Sequence, residues 1–213
     1  MPEQTAPGSV HAPGRRAHDV PETNRQAIRT VFTIGHSTRT CAEFVALLRE
    51  VGVTLLVDVR SIPRSRAMPQ FNKDTLPDAL AAAGIGYRHL GALGGRRYRR
   101  KSAPPSRNTY WRLKAFRDYA DYAETSEFHA GLDTLLALAA ADRRAIMCAE
   151  AVWWRCHRRI ITDYLLAGGT RVEHIMGPRH LVPATLTPGA RALTDGTIRY
   201  AAPGDAGATA RGD

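Results

Sequence analysis

Val31-Phe32-Thr33-Ile34-Gly35-His36-Ser37, then Phe44, Leu47, Leu48 and Val51, then Thr54-Leu55-Leu56-Val57-Asp58-Val59 decide the fold. The first run is short and β-rich. The middle set recurs at helical spacing, and the last run is almost wholly apolar. Further along the chain the alternation continues. Leu76, Leu80 and Ala83 predict a second helix ended by Gly84, and residues 86–90 a third strand. Two helices are expected at about 109–125 and 127–141, and a fourth strand at 144–148. A helix at 152–167 stopped by Gly168-Gly169 and a fifth strand at 171–176 follow. A short strand is expected near 197–200.

Buried strands alternating with helices predict an α/β fold: one Rossmann-like, three-layer domain with a mainly parallel sheet of about five strands and helices on both faces. The domain is expected over 31–200. Residues 1–30, rich in Pro, Gly and small polar types, read as a disordered tail, and 201–213 as a second tail. The Arg211-Gly212-Asp213 adhesion tripeptide is too short to carry specificity.

Of the 213 residues 44% are hydrophobic, enough for a core, and no apolar run approaches the roughly 20 residues that cross a bilayer. No secretory signal is visible, and three cysteines make no disulfide framework, so a reducing cytoplasm is the expected setting. The unusual number is the net charge of +10, with 30 basic residues against 20 acidic ones. Such an excess favours polyanionic partners, nucleic acid first and DNA in particular, and no membrane.

The charge is concentrated. Residues 79–117 contain no acid and ten Lys or Arg, centred on Arg96, Arg97, Arg99, Arg100 and Lys101. Gly91, Gly94 and Gly95 precede this cluster and Pro104 and Pro105 follow it, so 91–108 reads as a mobile basic loop. Tyr98, Tyr110 and Trp111 interleave aromatics with the charge, the mixture that a phosphate backbone with unstacked bases requires.

In parallel α/β sheets ligands bind at the carboxyl ends of the strands. There the sequence places His36 and Ser37, Asp58 and Arg60 with Arg64, Ser65 and Arg66 beyond, His89 and the Gly94-Gly95 turn, and Cys148-Ala149-Glu150. The next helix is expected to open with Trp153 and Trp154 and to hold Cys156, His157 and Arg158.

These residues resemble a bacterial family catalogued as domain of unknown function 488. The resemblance rests on Thr33-Ile34-Gly35-His36-Ser37, Asp58-Val59-Arg60 with Pro63 and Ser65, Leu93-Gly94-Gly95, Cys148-Ala149-Glu150, and Cys156-His157-Arg158 with His174-Ile175. It runs from about residue 31 to 176 and implies no activity, because the family is named for lacking one.

Function must therefore be read from the residues. Glu150 and Asp58 are candidate catalytic carboxylates, to activate water or to steady a cationic transition state. The rival roles are a helix cap for Glu150 and an ion pair with Arg60 or Arg64 for Asp58. Cys156, beside Arg155, His157 and Arg158 near a helix N-terminus, is a candidate low-pKa thiol with His157 as its partner. His36, Ser37, Arg60, Ser65, Arg66, Gly94, Gly95, Arg96 and Arg158 are candidate substrate contacts, with guanidinium forks suited to phosphate. Trp153 and Trp154 are candidate stacking platforms for an extruded base.

No cofactor is expected. A zinc set drawn from Cys148, Cys156 and His36, or His157, is disfavoured because adjacent helical residues point about 100° apart. The leading expectation is a hydrolase acting on nucleic acid or nucleotides, most concretely a base-excising DNA repair enzyme that cleaves an N-glycosidic bond. The alternatives are a thiol or metal enzyme for a small anionic substrate, built on Cys156 and His157, and a nucleic-acid-binding module without chemistry.

Overall fold

The computed structural model describes residues 30–138 and 143–204. The expected tails, apart from Thr30 and residues 201–204, lie outside the described residues, as does the terminal tripeptide. Six strands form one sheet in the order β3-β2-β4-β1-β5-β6. They are β1 (Thr30–Gly35), β2 (Leu55–Asp58), β3 (Gly86–His89), β4 (Arg144–Cys148), β5 (Arg171–Gly177) and β6 (His180–Pro183). The first five run parallel, and β6 turns back antiparallel beside β5.

The strand pleat sorts side chains to the two faces. Phe32 and Ile34 of β1 join Leu56, Ala145 and Met147 beneath α1 (Cys41–Glu50) and α2 (Leu76–Ala81). Val31, Val57 and Ile146 point the other way. They pack under α3 (Lys114–Ala123), α4 (Ser126–Ala137) and α5 (Arg158–Ala167). The fold is thus the mostly parallel, helix-covered α/β sheet that the alternation predicts. Among the described residues no helix is long and apolar enough to cross a membrane.

Local chemistry sets the helix ends. The Thr40 hydroxyl takes the Glu43 amide while the Glu43 carboxylate takes the Thr40 amide, a reciprocal cap that starts α1. Thr125 caps α4 by accepting from the Phe128 amide.

Three expectations are corrected. The helix expected from about residue 109 starts at Lys114, because Asn108 is pinned: its amide nitrogen donates to Asp121 and Glu124 and its oxygen accepts from the Tyr200 amide. That contact ties the segment to a two-stranded ribbon, β7 (Ala190–Ala192) and β8 (Ile198–Tyr200), of which only β8 was foreseen. Finally, residues 152–167 are not one helix. Trp153–Arg155 form a single 3-10 turn, Cys156 is extended (φ −130°, ψ 149°), and α5 begins at Arg158 after His157. Residues 139–141 of the expected fourth helix lie outside the described residues.

Candidate functional site

The strands β1 and β4 are neighbours, yet the chain leaves them in opposite directions, to α1 on one face and to α5 on the other. Such a divergence opens a crevice at the carboxyl ends. A cavity of about 380 Å³ lies there, walled by His36, Arg60, Cys148, Glu150, Cys156 and His157.

Its floor is an ion pair. Asp58 closes β2 and is fully buried. Its Oδ1 accepts from the Arg60 amide (3.0 Å) and Nε (2.9 Å), and its Oδ2 from Arg60 Nη2 (2.6 Å) and the Tyr87 hydroxyl (2.8 Å). With its lone pairs so engaged and no access to the cavity, Asp58 orients Arg60 and is not placed to act on a substrate. This corrects its reading as a catalytic carboxylate. Arg60 also donates to the Phe71 carbonyl (2.6 Å), and its Nη1 lies 3.4 Å from His36 Nε2. His36 stacks on Phe71 at 4.3 Å, and its Nδ1 donates to the Ser37 carbonyl. Burial lowers the His36 pKa, and the Arg60 charge adds to the effect, so the ring stays neutral.

Two backbone approaches need glycine. A Cβ on Gly35 would stand 1.9 Å from the Glu150 carbonyl oxygen, and one on Gly95 2.4 Å from His157 Nδ1. The Gly94-Gly95 turn therefore packs against Ser61 and His157. The amides of His36 and Ser37 donate to the Cys148 and Ala149 carbonyls. Those two amides are spent within the protein, so neither is free to hold a substrate phosphate.

A cluster of soft donors forms one wall. The His157 Nε2 lies 2.9 Å from the Val59 carbonyl, which can only accept, so Nε2 donates there and Nδ1 faces the two thiols. That Nδ1 is 3.5 Å from Cys156 Sγ and 3.8 Å from Cys148 Sγ. Arg158 donates to Cys156 Sγ from its Nε (3.3 Å) and its amide (3.5 Å), and to the Glu150 carbonyl from Nη2 (2.6 Å). Burial opposes ionisation of Cys156, but the hydrogen bond from Cys148 and the His157 and Arg158 charges outweigh it and hold the thiol well below its ordinary pKa. Cys148 is pushed well up, because it donates that hydrogen bond and because it is buried beside the Cys156 charge. All three cysteines are free.

The rim is charged. Glu150 is exposed and its carboxylate takes no hydrogen bond or ion pair from the described residues, so it does not serve as a helix cap. Arg96 and Arg155 line the cavity, exposed, with guanidinium groups equally unengaged. Arg64 lines it too but pairs with Asp74 (2.6 Å). Ser65 is at the rim, accepting from the Met68 amide.

Several expected contacts lie elsewhere. Arg66 is exposed, and neither it nor Ser37, Gly94 or Arg158 lines the cavity. Trp153 stacks on His174 at 4.3 Å and Trp154 meets Trp153 edge-on, so neither faces the cavity. The 3-10 turn turns the Trp153 indole toward His174 of β5 and leaves Trp154 exposed. The rings that do line the cavity are Phe116 and Tyr119, set by α3, and nothing in the local sequence marked them. In the basic loop Arg97 lies over the Tyr122 ring at 3.9 Å and Arg99 pairs with Asp121 at 2.6 Å, so part of its charge braces the fold. Arg100 and Lys101 stay exposed.

The Trp153–His174 stack has a consequence for acid stability. The His174 Nδ1 hydrogen-bonds with the Thr33 hydroxyl (2.7 Å), and burial, with Arg158 nearby, lowers its pKa from 6.5 to about 3. The unfolded chain therefore binds the proton first, and stability falls as pH drops from about 6.5 toward 3, by on the order of 1 kcal/mol per pH unit. His174→Gln, which keeps the bond to Thr33, is expected to flatten this slope in urea titrations between pH 7 and 4. An unchanged slope would assign the acid sensitivity to other groups.

An α/β domain with a thiol- and arginine-lined cavity at the carboxyl ends of its parallel strands is the class these features define. The chain belongs to the family described as Domain of unknown function DUF488, whose model matches residues 40–165, more than half of its length. The Asp58, Gly94-Gly95, Cys148 and Cys156 motifs fall inside the match, and Gly35-His36-Ser37 and His174 outside it. A search of curated proteins and a search of solved structures gave no match.

Proposed function

We propose that the protein hydrolyses a bond in nucleic acid or nucleotides, most concretely the N-glycosidic bond of a DNA base. One observation carries this reading: a carboxylate, Glu150, shares a single cavity with two guanidinium groups, Arg96 and Arg155, and none of the three is engaged by another of the described residues. Like-charged rim cations without partners favour an anion, and guanidinium forks match phosphate oxygens. A carboxylate beside the bound phosphate activates water or steadies an oxocarbenium-like centre. The cavity volume falls in the range of small-ligand sites, about 300–1,000 Å³, and the half-buried Phe116 ring on its wall offers a base an apolar contact. The exposed Arg100 and Lys101 extend the positive surface beyond the cavity mouth, as a longer strand requires.

The test combines binding and chemistry. Release of free base is followed on oligonucleotides carrying normal and damaged bases, with nucleotides and RNA in parallel. Affinity for an oligonucleotide should fall linearly with salt on a log–log plot. Arg100→Ala with Lys101→Ala should reduce the slope by about 1.4–1.8, two phosphate contacts' worth. An unchanged slope detaches the loop from the substrate. Binding without turnover would reduce the protein to a binding module, and absence of both would overturn the proposal.

A further inference from the structure

The cavity's soft wall has a geometry that hydrogen bonding alone does not require. The Sγ atoms of Cys148 and Cys156 and the Nδ1 of His157 all lie within 4.8 Å of one another. Zinc binds sulfur at about 2.3 Å and imidazole nitrogen at about 2.0–2.1 Å, so two ligands on a tetrahedron stand about 3.6 Å apart, sulfur to nitrogen. The observed separations are 3.5 and 3.8 Å.

The support around the donors points the same way. Metal-binding imidazoles typically donate their other N–H to a carbonyl or carboxylate, which fixes the ring and aims the lone pair. The Val59 carbonyl does this for His157. Cys156 Sγ receives two N–H groups from Arg158, and Tyr119 packs edge-on against the His157 ring at 5.1 Å. The close approach of Gly95 to the ring leaves His157 little room to swing away. All three donors line the cavity, which gives the fourth position of a tetrahedron an outlet.

From this juxtaposition we infer that Cys148, Cys156 and His157 bind a zinc ion through two thiolates and one imidazole, with the fourth position open to the cavity. Binding releases the Cys148 thiol proton to solvent, Cys156 being held as a thiolate already, and leaves zinc and its two thiolates without net charge. Three protein ligands and one open position are the pattern of a catalytic zinc, whereas closed four-ligand sets are structural. A water in that position would stand in the cavity that Glu150 also lines. Only this last step rests on the hydrolase reading, and metal binding does not depend on it. His36, the histidine first grouped with these cysteines, is engaged by Ser37 and Arg60 and takes no part.

The full-length protein, purified without chelator and with reductant, is to be analysed for metal and then stripped and titrated with zinc and with cobalt. About one zinc per chain is expected, and the cobalt form should show thiolate charge-transfer absorption with the intense visible bands of a four-coordinate site. Zinc should protect Cys148 and Cys156 from alkylation, mapped by peptide mass, while Cys41 stays reactive. Cys148→Ser, Cys156→Ser and His157→Gln should each weaken zinc by about a hundredfold or more, the loss of a ligand exceeding the 10–100-fold typical of a supporting contact. Thermal melts of each variant without metal separate this loss from misfolding, and His36→Gln should keep full affinity. Failure of the stripped wild type to take zinc, or a cobalt spectrum without thiolate absorption, would overturn the inference. So would a Cys148–Cys156 disulfide formed in place of metal uptake. Zinc bound as inferred in a protein inert toward every nucleic acid and nucleotide would leave this inference standing and remove the functional one.

Discussion

Asp58→Ala is expected to cost about 3–5 kcal/mol of folding stability, because it strands a buried guanidinium. Arg60 is 6% exposed, and Asp58 holds it through its amide, Nε and Nη2. Removing the carboxylate leaves that charge with the Phe71 carbonyl and a neutral His36 as neighbours. It also leaves the Tyr87 hydroxyl without its acceptor. Replacing both ion-pair partners tests the argument, since a buried pair exchanged for apolar groups is often nearly neutral. Asp58→Leu with Arg60→Met should therefore recover most of the loss in urea midpoints. If Asp58→Ala instead cost less than about 1 kcal/mol while abolishing turnover, Asp58 would be a reacting carboxylate and the geometric assignment would fail.

The strand order could not be written from the sequence, but the five parallel strands could, while β6 and β7 went unread. Apolar runs such as Thr54-Leu55-Leu56-Val57 have one stable placement, inside a sheet covered on both faces. The convergence of strand ends follows from the same rule, which is why His36, Arg60, Cys148 and Glu150 were singled out and share one cavity. What failed was periodicity where it had no jurisdiction. Trp153, His157, Ile160, Ile161 and Tyr164 match a helical face, yet only the last three are helical. Cys156 is extended, held where Arg158 can donate to its sulfur, and that contact is tertiary. The misread helix hid the thiol–imidazole cluster, since it set Cys156 and His157 on divergent bearings. It also sent the indoles to the wrong place. Phe116 and Tyr119 were illegible for a different reason: they reach the cavity from α3, far along the chain, by the way α3 packs.

Glu150→Gln is expected to reduce turnover by two to four powers of ten while ligand affinity and fold stability stay nearly unchanged. The variant keeps the size of the side chain and loses only the charge and the ability to take up a proton. Stability should hold because the structural work at this position is done by the backbone. The Glu150 carbonyl receives Arg158 and meets Gly35, and neither contact involves the carboxylate. Affinity should hold, or rise slightly, because the rim arginines gain relative to a neutral neighbour when they bind an anion. Zinc content should also be unaffected, since Glu150 supplies no ligand atom to the cluster of Cys148, Cys156 and His157. This combination separates three roles in single-turnover and binding measurements. Loss of turnover alone marks a proton-transferring or charge-stabilising group. Equal loss of turnover and affinity marks a residue that orients the ligand. Full turnover in Glu150→Gln would remove the only free carboxylate known on the cavity wall among the described residues, and the chemistry would then have to be carried by the thiol–imidazole wall alone.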